Sequence, residues 1–362
     1  MNRETATIAA IAGDGIGAEV IPPAAAVIDA ALAREASRVD WRWLDWSCER
    51  YVQQGAMMPV DGLEQLAECD AIFLGAVGRP DVPDDVSLWG LLMPIRRQFD
   101  LYVNLRPIRL FDGVAPRVTV PGGSTIDMLI VRENTEGEYS ESGGRFMRGG
   151  TGEFAVQNDI FTRVGIERIT RFACERAAER RGRLTSATKS NGIIHTMPFW
   201  DEVVASVTDT YPGVTTDRRL IDALAAEIVL KPWTFDVIVA SNLYGDILSD
   251  LAAAVVGSLG IAASANLNPE GRYPSLFEPV HGSAPDIAGM GVANPVAAVW
   301  SGALMLEHLG HGEAAGRVMR AIEATLARPE TRTADLGGTA STELVAEALL
   351  AHVAESDASS LV

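Results

Sequence analysis

The stretch Phe235-Asp236-Val237-Ile238-Val239-Ala240-Ser241-Asn242-Leu243-Tyr244-Gly245-Asp246-Ile247-Leu248-Ser249-Asp250 limits what this chain can fold into more than any other. Residues 235–240 are β-branched and apolar and predict a short buried strand. Ile247-Leu248 and then 251–256 predict a buried helix directly behind it. Asp246 and Asp250 stand four apart, so on that helix they share one face. Two carboxylates side by side on a mostly apolar helix repel, and burying them unpaired costs several kcal/mol. A hard divalent cation, Mg²⁺ or Mn²⁺, removes that cost, because such ions prefer carboxylate oxygens. The alternative is a solvated helix start at which both acids are favoured by the helix dipole.

The chain of 362 residues has length for about two domains, or one large one. Its net charge of −18 argues against nucleic acid and anionic membranes as partners, since both need a basic face. The same charge repels an anionic substrate at long range, so such a substrate requires a local cluster of arginines. No apolar run reaches transmembrane length, and Met1-Asn2-Arg3-Glu4 lacks the apolar segment of a signal peptide. Cys48, Cys69 and Cys174 are odd in number and far apart, which suits a reducing cytoplasm and no disulfide framework. Cys174 shares a helical pattern with Ile166, Ile169 and Ala177 and reads as a packing residue. Zinc-type Cys/His spacing is absent.

Along the chain, strand-like and helix-like segments alternate, which argues for an α/β fold. Residues 7–11 form a first strand, which runs into Gly13-Asp14-Gly15-Ile16-Gly17 and a helix to about residue 34. The glycines fall at the first, third and fifth positions, whereas the dinucleotide fingerprint needs the first, third and sixth. The segment therefore predicts a strand-to-helix turn with close backbone approach rather than a Rossmann fold. Residues 41–46 alternate as a strand, and 71–78 read as a buried strand ending in a glycine-bounded loop. Residues 137–158, rich in glycine, predict a hairpin arm and a dimer contact. Residues 265–270 and 276–286 predict a loop with sharp turn chemistry, and Asn294-Pro295 opens a helix to about residue 309. The tail 355–362 predicts disorder.

Charged residues stand where apolar neighbours make them expensive. Arg96 sits in a helix-like stretch, Arg106 follows in 102–107, and Arg132 ends the strand 128–131. Three arginines from three elements can surround a small dicarboxylate through bidentate hydrogen bonds; the alternative for each is a structural ion pair. Lys189 ends the strand 184–188, placed for a base or a carboxylate partner. Asp222 stands on an otherwise apolar helix and calls for a cation or a hydrogen-bond network.

Three motifs complete the picture: Val131-Arg132-Glu133-Asn134-Thr135-Glu136-Gly137, the stretch 242–250, and Glu278-Pro279-Val280-His281-Gly282-Ser283-Ala284-Pro285-Asp286. Together, over nearly the whole chain, they resemble the isocitrate/isopropylmalate dehydrogenase family, the metal-dependent decarboxylating dehydrogenases of 2-hydroxy acids. The resemblance implies a two-domain α/β fold with a large mixed sheet, distinct from the Rossmann type. Residues 1–101 with 257–362 would form the cofactor-side domain, and 102–256 the metal, substrate and dimerisation domain, with its arm near 137–158. It further implies a homodimer with shared active sites. In that setting Arg96, Arg106 and Arg132 hold substrate carboxylates, and Asp246 and Asp250 bind Mg²⁺ or Mn²⁺ with Asp222 from the other subunit. Tyr139 and the other subunit's Lys189 are the acid/base pair. NAD occupies a loop of His281, Gly282, Ser283, Ala284, Asp286 and Ile287, with Asn294 at the adenosine; a monovalent cation such as K⁺ is a further candidate.

Asp286 followed by Ile287 resembles the NAD-using members, because a carboxylate accepts from a ribose 2′-hydroxyl and repels a 2′-phosphate. Substrate choice would lie in Ser87, Leu88 and Trp89, a stretch most similar to the D-malate and tartrate branch. By bulk, Trp89 fills the space an isopropyl group would need; the alternative is a plain core or interface aromatic. The expected activity is therefore oxidative decarboxylation of D-malate, to pyruvate and CO₂, or of tartrate, with NAD as hydride acceptor. Against it stand a 3-isopropylmalate dehydrogenase, a non-redox metal-dependent keto-acid decarboxylase, and a non-catalytic regulatory subunit.

Overall fold

The computed structural model describes residues 5–35 and 37–355. The strands, in chain order, are β1 (Thr5–Gly13), β2 (Arg38–Leu44), β3 (Ala71–Ala76), β4 (Val103–Arg109), β5 (Asp127–Glu133), β6 (Gly143–Phe146), β7 (Phe154–Gln157), β8 (Arg183–Thr188), β9 (Thr215–Leu220), β10 (Val237–Ala240), β11 (Ala263–Leu267) and β12 (Ser275–Pro279). The helices are α1 (Gly17–Leu32), α2 (Cys48–Gln54), α3 (Gly62–Ala67), α4 (Asp84–Ser87), α5 (Met93–Gln98), α6 (Arg163–Glu179), α7 (Thr196–Thr208), α8 (Ile221–Leu230), α9 (Asn242–Val256), α10 (Val296–His308), α11 (Gly312–Ala327) and α12 (Thr342–Glu355). Glu355 closes α12, and the rest of the tail expected to be disordered, 356–362, lies outside the described residues. No helix of the described residues is long and apolar enough to cross a membrane.

Two compact units divide the chain: unit 1 is Met1–Leu101, Leu110–Arg117 and Ala253–Val362, and unit 2 is Tyr102–Arg109 and Val118–Ala252. This differs from the boundaries read off the sequence in two places. Residues 110–117 go with unit 1, where Phe111 meets the Trp300 ring edge-on at 5.2 Å and the Arg117 amide donates to the Val255 carbonyl at 2.9 Å. The second boundary then falls inside α9, ahead of 253–256.

In unit 1 the strand order is β2-β1-β3-β12-β11. All neighbours run parallel except β11 and β12, which are antiparallel. Central parallel strands are covered on both faces, so β1 and β3 carry buried apolar runs such as Ile8–Ile11 and Ile72–Leu74 in place of alternation. Helices α1, α10, α11 and α12 pack together over this sheet. Residues 265–270 and 276–286, expected to be one long loop, instead contain most of this antiparallel pair. The reason is burial: Leu276 and Phe277 are fully enclosed, and only a paired backbone satisfies its amides there.

In unit 2 the order is β4-β5-β10-β8-β9, with β4 and β5 antiparallel and the others parallel. The edge strand β9, whose residues are polar and half-exposed, gives no apolar signal in the sequence. β6 and β7 form the expected hairpin, and all eight of their residues are exposed. Register matters most at the strand ends. Arg132 of β5 lies beside Asn104 of β4 and Ala240 of β10, so the arginine emerges where α9 begins.

Candidate active site

The predicted strand and helix at 235–256 are β10 and α9, and between β5 and α9 the charged groups of unit 2 converge. The Arg132 guanidinium is almost fully buried. Its Nε and Nη2 both donate to Asn242 Oδ1, at 3.1 and 2.6 Å, and its Nη1 donates to Asp246 Oδ1 at 2.6 Å. Arg106, also buried, donates from Nη1 to Ser249 Oγ at 2.5 Å and from Nε to Asn104 Oδ1 at 2.7 Å. Its guanidinium lies 3.1 Å from Asp246 Oδ1 and 3.3 Å from Asp250 Oδ1. The Tyr139 hydroxyl donates to Asp246 Oδ2 at 3.2 Å, under the Arg132 guanidinium at 5.6 Å from the ring centre. Close approach is possible because α9 has a glycine at this point: a Cβ on Gly245 would sit 2.6 Å from the Arg132 Cβ.

Asp246 and Asp250 do share a helix face, but they are neither fully buried nor unpaired. Their side chains are 33% and 51% exposed, and both meet arginine. Burial still pushes the Asp250 carboxyl up from its ordinary range; Arg106 pulls it back, Asp246 pushes it up, and Arg132 pulls it down. Two carboxylates half-open to solvent, one held in tension by the other, are a hard-oxygen donor pair of the kind that accepts Mg²⁺ or Mn²⁺. Arg106 and Arg132 are thus aspartate partners in this structure, the ion-pair alternative for them, and both remain within reach of whatever binds beside Asp246.

Lys189 follows β8, and Asp222 lies in the first turn of α8. They meet each other: Lys189 Nζ donates to Asp222 Oδ1 at 2.7 Å, and this bond holds the Asp222 carboxyl below its ordinary range. Among the described residues no three Asp, Glu, His or Cys side chains come together as a cation cage, so within one chain Asp222 does not join Asp246 and Asp250.

The remaining predicted residues belong to unit 1. Ser87 ends α4, is buried, and donates its hydroxyl to the Asp84 carbonyl at 3.0 Å. Leu88 and Trp89 open a π-helical turn, Leu88–Leu92, a rare geometry that recurs at functional sites. The Arg97 guanidinium covers the Trp89 ring at 4.7 Å. Arg96 on α5 is buried and donates to Glu278 Oε1 at 2.8 Å; its Nε is buried without a hydrogen-bond partner among the described residues.

His281, Ala284, Ile287 and Asn294 line a cavity of about 290 Å³ together with Ile16 and Asp335. Gly282, Ser283 and Asp286 stand on the same loop, outside the cavity lining. Its walls are mainly apolar with a few polar groups, the make-up of a cofactor or small-molecule site. Burial holds the His281 imidazole below its ordinary range, and its Nε2 is buried without a hydrogen-bond partner among the described residues, a ring nitrogen that a polar ligand can engage. The Ile16 amide donates to the Ser283 carbonyl at 2.9 Å, and a Cβ on Gly15, whose φ is +55°, would come within 2.0 Å of that oxygen. The close backbone approach expected of the glycine turn is made here, to the loop that carries Ser283.

Three residues with visible work were not singled out from sequence. Asp335 accepts from Asn294 Nδ2 at 3.1 Å and Ser258 Oγ at 2.5 Å. Glu19 on α1 accepts from the Gly289 and Gly291 amides at 2.5 and 3.0 Å and so holds the far end of the loop that follows β12. Glu138 contacts the start of α9. Only Glu138 carried a signal, as the acid between the motif 131–137 and Tyr139.

A family model described as isocitrate/isopropylmalate dehydrogenase matches residues 7–349. The chain belongs to the isocitrate/isopropylmalate dehydrogenase family. It is an oxidoreductase of that class, with the family's α/β fold. It is 52% identical over 354 residues to the D-malate dehydrogenase [decarboxylating] of Escherichia coli strain K12, covering 96% of this chain and 98% of that protein. It is 50% identical over 359 residues to the tartrate dehydrogenase/decarboxylase of Pseudomonas putida, covering 97% and 98%. Among solved structures, the isocitrate dehydrogenase of Methylococcus capsulatus superposes with a TM-score of 0.87 at 33% identity, covering 96% of this chain and 99% of that one.

Proposed function

We propose that this dehydrogenase oxidatively decarboxylates D-malate or tartrate, with NAD as hydride acceptor and Mg²⁺ or Mn²⁺ as the metal. The observation that carries it is the cluster of Arg106, Arg132, Tyr139, Asp246 and Asp250 at the mouth of β5 and α9. Relatives at about half identity over the whole chain, whose names specify these two substrates, support the choice.

Asp246 and Asp250 would hold the divalent ion, with Asp222 supplied by a second copy of the chain. When bound, the ion supplies Lewis acidity at the substrate hydroxyl and adjacent carboxylate, and NAD supplies the hydride acceptor. Arg106 and Arg132 bind substrate carboxylate by the same donors that now face aspartate. Lys189 of the second copy takes the hydroxyl proton, and Tyr139 returns a proton to the carbon that has lost CO₂. The cavity by His281 and Asn294 takes the adenosine end of NAD, with Asp286 on the ribose.

A homodimer follows from this division of labour. It is supported by the exposed apolar residues Phe146, Phe154 and Val156 on the hairpin and Leu230 and Ile247 on α8 and α9. Three buried thiols suit a reducing compartment, the cytoplasm. Chelation of divalent ions should abolish NADH formation and Mn²⁺ should restore it; undiminished turnover in chelator would remove the metal from this account. Tyr139→Phe should slow decarboxylation of added oxaloacetate, and a full-rate partial reaction would reassign that proton.

A further inference from the structure

Glu138 precedes Tyr139 on the loop that follows β5, and its carboxylate reaches the N-terminus of α9. Ser241 Oγ donates to Glu138 Oε1 at 2.6 Å and the Leu243 amide donates to Glu138 Oε2 at 3.1 Å. Unpaired amides and the positive end of the helix dipole favour a carboxylate at such a place. The same short segment is tied at two further points. Asn242 Nδ2 donates to the Glu136 carbonyl at 3.2 Å, and Gly137, at φ +85°, exchanges two backbone hydrogen bonds with Ile160. One residue later, the Tyr139 hydroxyl meets Asp246 on the next turn of the same helix. Two consecutive side chains thus grip α9 at successive turns, one at its cap and one at a carboxylate proposed as metal ligand.

We propose that Glu138 is the positioning residue for Tyr139: its clamp on Ser241 and Leu243 sets the loop so that the phenol stands at hydrogen-bond distance from Asp246. The inference rests on the reading of Tyr139 as proton donor given above. Glu138 touches neither Asp246 nor Asp250 in these contacts, so its loss acts through placement of the phenol and not through the metal.

The test is a double-mutant cycle on the full-length enzyme with Mn²⁺. Tyr139→Phe is expected to lower kcat about 100-fold, the usual worth of a general acid. Glu138→Ala is expected to lower kcat about 10-fold, because a misplaced reacting group costs this much or more, with KM and Mn²⁺ affinity within about twofold. Glu138→Gln should stay within about threefold of wild type, since its oxygen can accept from Leu243 and its amide can donate to Ser241 Oγ. The double variant Glu138→Ala/Tyr139→Phe should be no slower than Tyr139→Phe alone. Multiplying losses in the double variant would overturn the proposal. Fluorine NMR of fluorotyrosine-labelled protein reads the placement directly: the Tyr139 resonance, identified by its loss in Tyr139→Phe, should shift in Glu138→Ala and return in Glu138→Gln. An unshifted resonance overturns the positioning role whatever the kinetics show. A shifted resonance with a fully active Tyr139→Phe upholds the placement and removes Tyr139 from the chemistry instead.

Discussion

Arg132 Nη1 donates to Asp246 Oδ1 at 2.6 Å, from the end of β5 to the second turn of α9. The guanidinium is nearly buried while the carboxylate is one-third exposed. The arginine is therefore fixed, with Asn242 taking two of its other donors, and the aspartate keeps an open side. A planar five-donor group suits this arrangement and an ammonium does not.

Replacing Asp246 with Asn should weaken Mn²⁺ binding at least about 100-fold, more than loss of an outer partner alone would. It should also lower stability by about 1–3 kcal/mol, because Arg106 and Arg132 lose a charged acceptor; the partial exposure of Asp246 keeps the figure in that range. Calorimetric titration with Mn²⁺ and a thermal melt read the two effects separately. Unchanged metal affinity would take Asp246 out of the site.

How legible was this in the sequence? Residues 235–256 gave strand, helix and shared carboxylate face directly, because apolar periodicity and the i, i+4 spacing are local properties. Arg132, a charge at the end of an apolar strand, requires a partner, and the structure supplies Asp246 and Asn242. Its partners could not be named, because pairing across 110 residues depends on register. The strands β11 and β12 were hidden by Asn, Pro and Glu, whose turn preference yields to burial. The grips of Glu19 and Asp335 were invisible, since the amides and hydroxyls they accept from lie far away in sequence.

Glu133 should make stability pH-dependent. It is fully enclosed on β5, and burial first, then the Glu136 charge, pushes its carboxyl up to about 7 from an ordinary 4.5, against hydrogen bonds from Thr135 and Glu136. The folded value exceeds the unfolded one, so the folded state binds more protons between them. The stabilisation is fully present below about 4.5 and is lost as pH rises through about 7, by on the order of 3 kcal/mol. Melting temperature measured across that range should show this fall, and Glu133→Gln should flatten it. An identical pH profile in the variant would show that Glu133 does not titrate there.

Trp89 should set substrate size. Trp89→Ala should raise kcat/KM for 3-isopropylmalate relative to D-malate by about 10-fold or more, the worth of one or two methylene-sized contacts. An unchanged ratio would assign Trp89 to packing beneath Arg97.

Asp286 is exposed on the loop proposed to hold NAD, so its replacement should leave the fold intact. Asp286→Ala should narrow the preference for NAD over NADP by about 10-fold or more, since a charge that repels the 2′-phosphate is gone. Measuring kcat/KM for both cofactors decides this, and an unaltered preference would place the selectivity elsewhere.

The most direct measurement is NADH formation with Mn²⁺, comparing kcat/KM for D-malate, L-tartrate, meso-tartrate, 3-isopropylmalate and isocitrate. The account predicts that D-malate or a tartrate leads. If 3-isopropylmalate or isocitrate leads, the substrate assignment and the role given to Ser87, Leu88 and Trp89 are wrong.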